Sequence, residues 1–406
     1  MRYALRDGFG VGIATGVSTF LAIFLVQLGA SPFQVGLLTA LPALTGMVLV
    51  LPLGQFLSRQ RSIVPWYAWS RLCVYSAYAA SGLAPFFVAP RDSPLLILSI
   101  WAIISVPQVV LGICFQVVMG AIVGPARRYE LMSQRWSLLG VVSAITVAAV
   151  GLLLDRISFP LNYQVVLIGS LVGTLIAFAS ARRLVVPDNP ASAASAGGEL
   201  KPLGERLRAG LAALRENHAF GRFLLSQFFF QCGAAMVLPL FPLYWVREVH
   251  APNSWIGVIT MAQNGSLLIG YFAWAALSRR GSRDLVLKIC MFGLGCYPLL
   301  TALTGSVPPL VIYAVGAGIF GAGIDLVLFD ILMSTCPPNQ TTTYVAMYQL
   351  TAYLAALGAP ILGTSVAAWV GLPPALLFGS GLFFAAGALF VLLRVGEGAG
   401  DRATAL

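Results

Sequence analysis

Charge is what this 406-residue sequence has least of: 9% of its residues are Asp, Glu, Lys or Arg, against roughly a quarter in soluble domains. Its 24 basic and 14 acidic residues cannot clothe a soluble globule of this length. Disorder needs low hydrophobicity, and 59% of this chain is hydrophobic, so a disordered chain is excluded as well. A polytopic membrane protein, with its apolar surface turned to lipid, is what remains. Histidine is scarce too: only His218 and His250 occur, both at the edges of apolar runs. The six cysteines lie in or at the ends of apolar runs without metal-type spacing. They are expected to be small buried apolar side chains, not a disulfide framework. With no metal-ligand cluster and no nucleophile–base constellation, neither an enzyme nor a cofactor is predicted. No glycine-rich phosphate loop ending in lysine is present, which argues against an ATP-driven pump. The first apolar run has no small-residue cleavage site and reads as a signal anchor.

What the sequence does have is apolar runs. A spanning helix needs about 20 residues, and twelve candidates fit: 8–29, 33–57, 63–89, 94–122, 132–154, 161–181, 220–246, 254–278, 284–305, 308–335, 342–369 and 373–394. The runs are continuously apolar, not alternating, so helices are expected and strands are not. Prolines 42, 107, 239, 242 and 360 are compatible with membrane helices, where neighbours satisfy the freed carbonyls. The composition changes once, at Asn189–Gly198 (NPASAASAGG), a small-residue linker. After it, Leu203, Leu207, Leu211 and Leu214 share a helical face, with Arg206, Arg208 and Arg215 elsewhere, which predicts an amphipathic surface helix. The expected organisation is a six-helix bundle over 1–181, a cytoplasmic linker over 182–219, a second six-helix bundle over 220–394, and a cytoplasmic tail over 395–406.

The net charge of +10 would suggest nucleic acid in a soluble protein. Sorting the charges removes that reading. With the N-terminus in the cytoplasm, 20 of the 24 Lys and Arg fall on that side, Arg135 among them. Arg91, Arg156 and Arg247 fall on the far side, and Arg71 falls inside the third run. This asymmetry follows the positive-inside rule with both termini cytoplasmic.

The halves also repeat. Val35-Gly-Leu-Leu-Thr-Ala40 in the second run has a counterpart in Ile256-Gly-Val-Ile-Thr-Met261 in the eighth. Each run leads to a similar loop, Leu57-Ser-Arg-Gln-Arg-Ser62 and Leu277-Ser-Arg-Arg-Gly-Ser282. Twelve runs in two halves, with this loop after the second run of each, resemble the major facilitator superfamily of secondary transporters. In that family's signature loop, Gly54, Arg59 and Arg61 supply the glycine and basic positions, while Ser58 stands where an aspartate is expected. The second copy keeps Arg279, Gly281 and Arg283, with Ser278 in the acidic position. The fourth-run arginine and fifth-run Gly-Pro of proton-coupled drug antiporters are missing, although Gly358-Ala-Pro360 occurs in the eleventh run.

The resemblance implies that the first, fourth, seventh and tenth helices line a central cavity. Charges in spans are costly, about 2.5–3.5 kcal/mol on insertion scales, so Arg71, Asp325 and Asp330 stand out. Asp325, in the middle of the tenth run, is the leading candidate for binding a cation, accepting a proton or holding substrate. Asp330 is about 140° around the same helix and is expected to act nearer the cytoplasmic end, as a gate contact. Arg71 is expected to snorkel toward the cytoplasmic interface, with gating as the other role. Ser18, Thr19, Gln108, Gln227, Gln231, Asn264 and Tyr348 fall at or near comparable depth as candidate substrate contacts, and Gly54, Arg59, Arg61 and Arg279 are the loop residues expected to gate. The expected function is transport of a small neutral or cationic, amphipathic solute by alternating access, with protons as a candidate second partner. The chain is expected to act as a monomer in the plasma membrane. The alternative is a non-transporting scaffold that keeps the same fold.

Overall fold

The computed structural model describes residues 2–58, 60–89, 91–121, 124–186, 217–280, 283–335 and 341–395. Most of the expected linker, its amphipathic helix and all but one residue of the tail therefore lie outside the described residues. Among the described residues every regular element is a helix. The first half comprises α1 (Arg2–Gln27), α2 (Pro32–Ser58), α3 (Val64–Phe87), α4 (Ser93–Ala121), α5 (Gly124–Leu154), α6 (Leu161–Gly169) and α7 (Leu171–Ala181). The second comprises α8 (His218–Val237), α9 (Leu240–Arg247), α10 (Asn253–Arg280), α11 (Arg283–Ala302), α12 (Val307–Thr335), α13 (Thr341–Val370) and α14 (Leu372–Leu392).

Continuous apolar runs fold as helices because lipid offers no partner for backbone N–H and C=O, and a helix satisfies both within itself. Among the described residues, eleven spans are long and apolar enough to cross a membrane, with α6–α7 and α8–α9 each counted as one. The expected twelfth is α3, which is long enough at 24 residues but carries Trp66, Tyr67, Trp69, Arg71, Tyr75 and Tyr78. Prolines 42, 107 and 360 lie inside intact helices, as expected. Pro239 does not: the seventh span breaks between α8 and α9 at Leu238–Pro239, where the missing N–H and the ring end the ladder. The sixth span also divides, at Ser170. Helices α1 and α5 begin earlier than the apolar runs alone suggest, at Arg2 and Gly124, because each adds a polar first turn or more.

The chain forms two compact units, residues 1–198 with 245–261, and residues 199–244 with 262–406. Their internal pairings repeat. In the first unit α1 packs on α5 and α7, and α3 on α4 and α7. In the second, α8 packs on α13 and α14, and α11 on α12 and α14, which are the corresponding helices. The repetition in sequence is thus also a repetition of packing.

Close approach in these pairs depends on small residues, since lipid is as apolar as leucine and gives helices little hydrophobic reason to associate. Gly8, Gly12 and Gly16 are spaced by four on α1 and face Arg135, Val142 and Thr146 of α5. Gly10 faces α7, where an added Cβ would stand 2.5 Å from the Gly173 carbonyl and 2.6 Å from the Ala177 nitrogen. Both obstacles are backbone, so neither can swing aside. Gly10→Ala should therefore lower stability by about 1–3 kcal/mol, read as a lower unfolding temperature in detergent. Gly54→Ala, at a position where an added Cβ meets nothing within 4 Å, should leave it unchanged.

Candidate functional site

The described charges within the helices fall into two different settings. In the first unit, Asp7 of α1 is fully buried, and Arg71 of α3 and Arg135 of α5 are each 2% exposed. Arg71 Nε stands 3.2 Å from Asp7 Oδ1, and Arg135 Nη2 donates to Asp7 Oδ2 at 3.1 Å. Tyr67 donates its hydroxyl to the same Oδ2 at 3.2 Å, and Arg71 Nη2 donates to the Tyr67 hydroxyl. The guanidinium carbons lie over aromatic faces: Arg71 is 4.6 Å from the Tyr67 ring, and Arg135 is 4.9 Å from the Phe115 ring. Three helices thus converge on one carboxylate.

This overturns two expectations. Arg71 does not snorkel to the interface, because a buried counter-ion holds it within the bundle. Arg135, counted with the charges of the cytoplasmic side, is not left at the interface; it lies within α5 and is buried against Gly8 of α1. Asp7 and Arg135 were both missed because each reads, on hydropathy alone, as a charge at the cytoplasmic end of its run. The available signal was the Gly8, Gly12, Gly16 ladder, which extends the packed face of α1 back to residue 8 and beyond.

The cluster carries two positive charges and one negative. Asp7→Asn would leave two buried guanidinium groups with no counter-ion, at a cost of about 3–5 kcal/mol. Arg71→Met would leave the neutral Asp7–Arg135 pair. Thermal unfolding in detergent should therefore show a much larger loss for Asp7→Asn than for Arg71→Met.

The second setting is in the second unit. The glycine-rich first half of α12 lets α10 come close: a Cβ on Gly318 would collide with Ser266 and Gln263, and one on Gly270 would stand 2.8 Å from the Ile319 carbonyl. Trp274 Nε1 ties the pair by donating to the same Ile319 carbonyl at 2.8 Å. Tyr271, next to Gly270, thereby reaches α12, and its hydroxyl donates to Asp325 Oδ2 at 2.9 Å. Asp325 is exposed along its helix, unlike Asp7. Tyr348 of α13 lies within electrostatic reach of Asp325. Gln227 Nε2 of α8 donates to the Tyr348 hydroxyl at 3.2 Å, and Gln231 also bonds it. Phe223 stacks on Tyr348, with centroids 6.2 Å apart and planes at 9°.

The four-residue spacing of Gln227 and Gln231 thus does place both on one partner. Gln227 is almost fully buried, and its Oε1 has no hydrogen-bond partner. The result is a cluster from α8, α10, α12 and α13 that joins Asp325, Gln227, Gln231 and Tyr348 and adds Tyr271, which sequence reasoning missed. Its partner role was hidden because only the approach of α10 to α12 puts it beside Asp325. Asn264, on α10, is exposed.

The remaining candidates are placed as follows. Ser18 and Thr19 lie half-buried on α1, in the first unit. Ser18 donates to the Thr15 carbonyl at 2.7 Å and bonds Tyr78 of α3. Gln108, on α4 of the same unit, has a buried Oε1 without a hydrogen-bond partner. Asp330 is half-buried and engaged in an interaction of its own, and Arg61 is exposed and likewise engaged. Arg59 and the side chain of Arg279 lie outside the described residues, so the signature loop is described only in part.

Comparison with known proteins agrees with this architecture. Residues 223–405 match the model of the Major Facilitator Superfamily. No curated protein sequence matches. Among solved structures, a point mutant of the nucleoside transporter NupG superposes with a TM-score of 0.70 at 12% identity, covering 97% of this chain and 99% of that one. A bacterial homolog of the human lysosomal transporter Spinster gives 0.70 at 12% identity, covering 96% and 95%. A point mutant of the peptide transporter POT, in complex with sulfate, gives 0.68 at 13% identity, covering 97% and 94%.

Proposed function

We propose that this protein is a secondary transporter of the major facilitator superfamily, moving a small neutral or cationic, amphipathic solute by alternating access. Its two halves rock about a central site in the plasma membrane, both termini are cytoplasmic, and a single copy is sufficient. Asp325 binds the cationic group of the solute or carries a coupling proton, and Gln227, Gln231 and Tyr348 hold the polar part of the solute. Asn264, Ser18, Thr19 and Gln108 contribute further polar contacts, while Asp330 and the basic loops around Gly54 and Arg279 act in gating.

The observation that carries this reading is the contrast between the two acids. Asp7 is neutralised twice over by arginine, which is the expected state for a structural charge. Asp325 is met by a hydroxyl, that of Tyr271. A carboxylate in a membrane helix whose described hydrogen bond comes from a neutral donor is suited to take its positive charge from outside the protein. The neighbouring groups, two amides and two phenols, favour an uncharged polar or donor-bearing solute over a polyanion. The similar structures are named as transporters of nucleosides and peptides, which sets the compounds to try first.

The test is uptake into proteoliposomes across a panel of nucleosides, small peptides and amphipathic amines, with and without an inward proton gradient. Wild type should accumulate one class. Asp325→Asn should reduce that uptake at least tenfold, which corresponds to about 1.4 kcal/mol or more of lost interaction. If the solute is neutral, the substitution should abolish only the response to the gradient. Uptake indifferent to both the gradient and the substitution would remove Asp325 from the mechanism, and uptake of nothing on the panel would favour the scaffold.

A further inference from the structure

At one end of the first unit, arginines are seated on rings and not on acids. α1 begins there at Arg2 and α7 ends there at Ala181, and the two helices pack together. Glycine makes their contact close: a Cβ on Gly173 would stand 2.7 Å from the Gly10 carbonyl. Ala4 is buried in one cluster with Ala181 and Leu184, so the chain leaving α7 stays beside the first turn of α1. This packing brings Arg183 across to Tyr3, with its guanidinium carbon 6.0 Å from the ring centroid. Arg6, nearly one turn after Tyr3 on α1, reaches the same ring at 5.9 Å. On α7, Arg182 stands 5.5 Å from the ring of Phe178, and Phe178 meets Trp69 of α3 with centroids 5.4 Å apart.

Arg6, Arg182 and Arg183 are exposed. Among the described residues none of the three makes an ion pair or a side-chain hydrogen bond. Asp7, next to Arg6 in sequence, is buried and already engaged by Arg71 and Arg135. A count of positive charges on one side is all that membrane topology requires, and such charges need no particular seat. Here two guanidinium groups share one ring and a third lies over another. A guanidinium over a ring keeps its N–H groups at its own edge, where its planar fork fits two oxygens of a phosphate.

An apolar surface leads to the same place. Val172, Leu175, Ala179 and Arg182 follow at steps of three and four residues, which puts them on one face of the helix. All four are exposed, Val172 at 61% and Leu175 at 57%. The face is therefore hydrocarbon along its length and guanidinium at its end. Trp69, itself 58% exposed, adds an aromatic edge at the level where such rings meet headgroups. A matching ligand carries a negative phosphate at one end and hydrocarbon at the other. A free phosphate ester would use the arginines and leave the apolar face empty.

We infer that this end of α1 and α7 is a binding site for an anionic phospholipid. Arg6, Arg182 and Arg183 hold the phosphate, Tyr3 positions two of them, and the acyl chains lie along Val172 and Leu175. A zwitterionic lipid brings the same phosphate together with an ammonium that the arginines repel, so the site selects a headgroup of net negative charge. The site lies within the first unit, and it does not depend on the transport reading.

The test is native mass spectrometry of the full-length chain in detergent, with equal amounts of phosphatidylglycerol and phosphatidylcholine bearing the same acyl chains. The first lipid bound to wild type should be phosphatidylglycerol by about fivefold or more. Arg6→Gln with Arg183→Gln should bring that ratio close to one. Arg91→Gln with Arg156→Gln removes the same charge from the opposite end of the unit, and should leave the ratio unchanged. Tyr3→Leu keeps every charge and should lower the ratio about twofold or more. Excess glycerol 3-phosphate should not displace the lipid. A wild type without preference overturns the site, as does a preference lost equally in the two double variants, which would be an effect of net charge alone. A ratio unaltered by Tyr3→Leu overturns it too, and so does displacement by glycerol 3-phosphate, which would mark a site for free phosphate esters. The wild-type preference and the competition need no variant, so they decide the matter even where a substitution prevents folding.

Discussion

A charge inside a bilayer has to be balanced by something the protein itself brings, because hydrocarbon offers neither water nor counter-ions. That requirement shapes this chain more than any other. It accounts for the small number of charged residues, and it fixes the centre of the first unit, where α1, α3 and α5 meet on Asp7. A buried ion pair adds little net stability, but its geometry is exacting, since any helix that drifts leaves an ion alone. The cluster therefore works as a register mark. It fixes where along their lengths the three helices cross, and the Gly8, Gly12 and Gly16 ladder then lets α1 lie flat on α5.

The second unit solves a related problem differently. Its pairings repeat those of the first, yet the described partner of Asp325 is the hydroxyl of Tyr271 and not an arginine. Local packing explains how this comes about. Glycines on α12 remove the bulk between it and α10, Trp274 fastens the pair, and Tyr271 is delivered to the acid as a consequence. The amides of α8 reach the same region through Tyr348. The arrangement uses neutral donors and acceptors around one acid, which is economical in a medium where each further charge would need a partner.

Much of this was legible in the sequence, for physical reasons that differ from residue to residue. Span number and order follow from the length of apolar runs, because only helices satisfy the backbone in lipid. Gln227 and Gln231 could be paired from their spacing alone, since four residues bring side chains onto one face. Asp325 was visible because any acid in such a run is conspicuous. Asp7, Arg135 and Tyr271 were not. Asp7 and Arg135 sit where hydropathy fades into polar helix ends, so each reads singly as an interfacial charge, and only their meeting in space shows otherwise. Tyr271 has no mark in sequence at all, because a tyrosine in an apolar helix is ordinary until its hydroxyl is seen to land on a carboxylate. The break at Pro239, in contrast to the intact helices at Pro42, Pro107 and Pro360, depends on local neighbours that composition does not encode.

The charge cluster also bears on how the protein is made. A chain threaded into the membrane from its N-terminus presents its spans in order, and α3 is the one spanning-length helix of the first half that falls short on apolarity. Its one charged residue is Arg71, and the neutralising group, Asp7, sits on α1. When α3 arrives its counter-ion is already in place, whereas Arg135 follows only with α5. The order of the chain therefore makes the pairing sequential: the acid comes first with α1, one arginine with α3 and the other with α5.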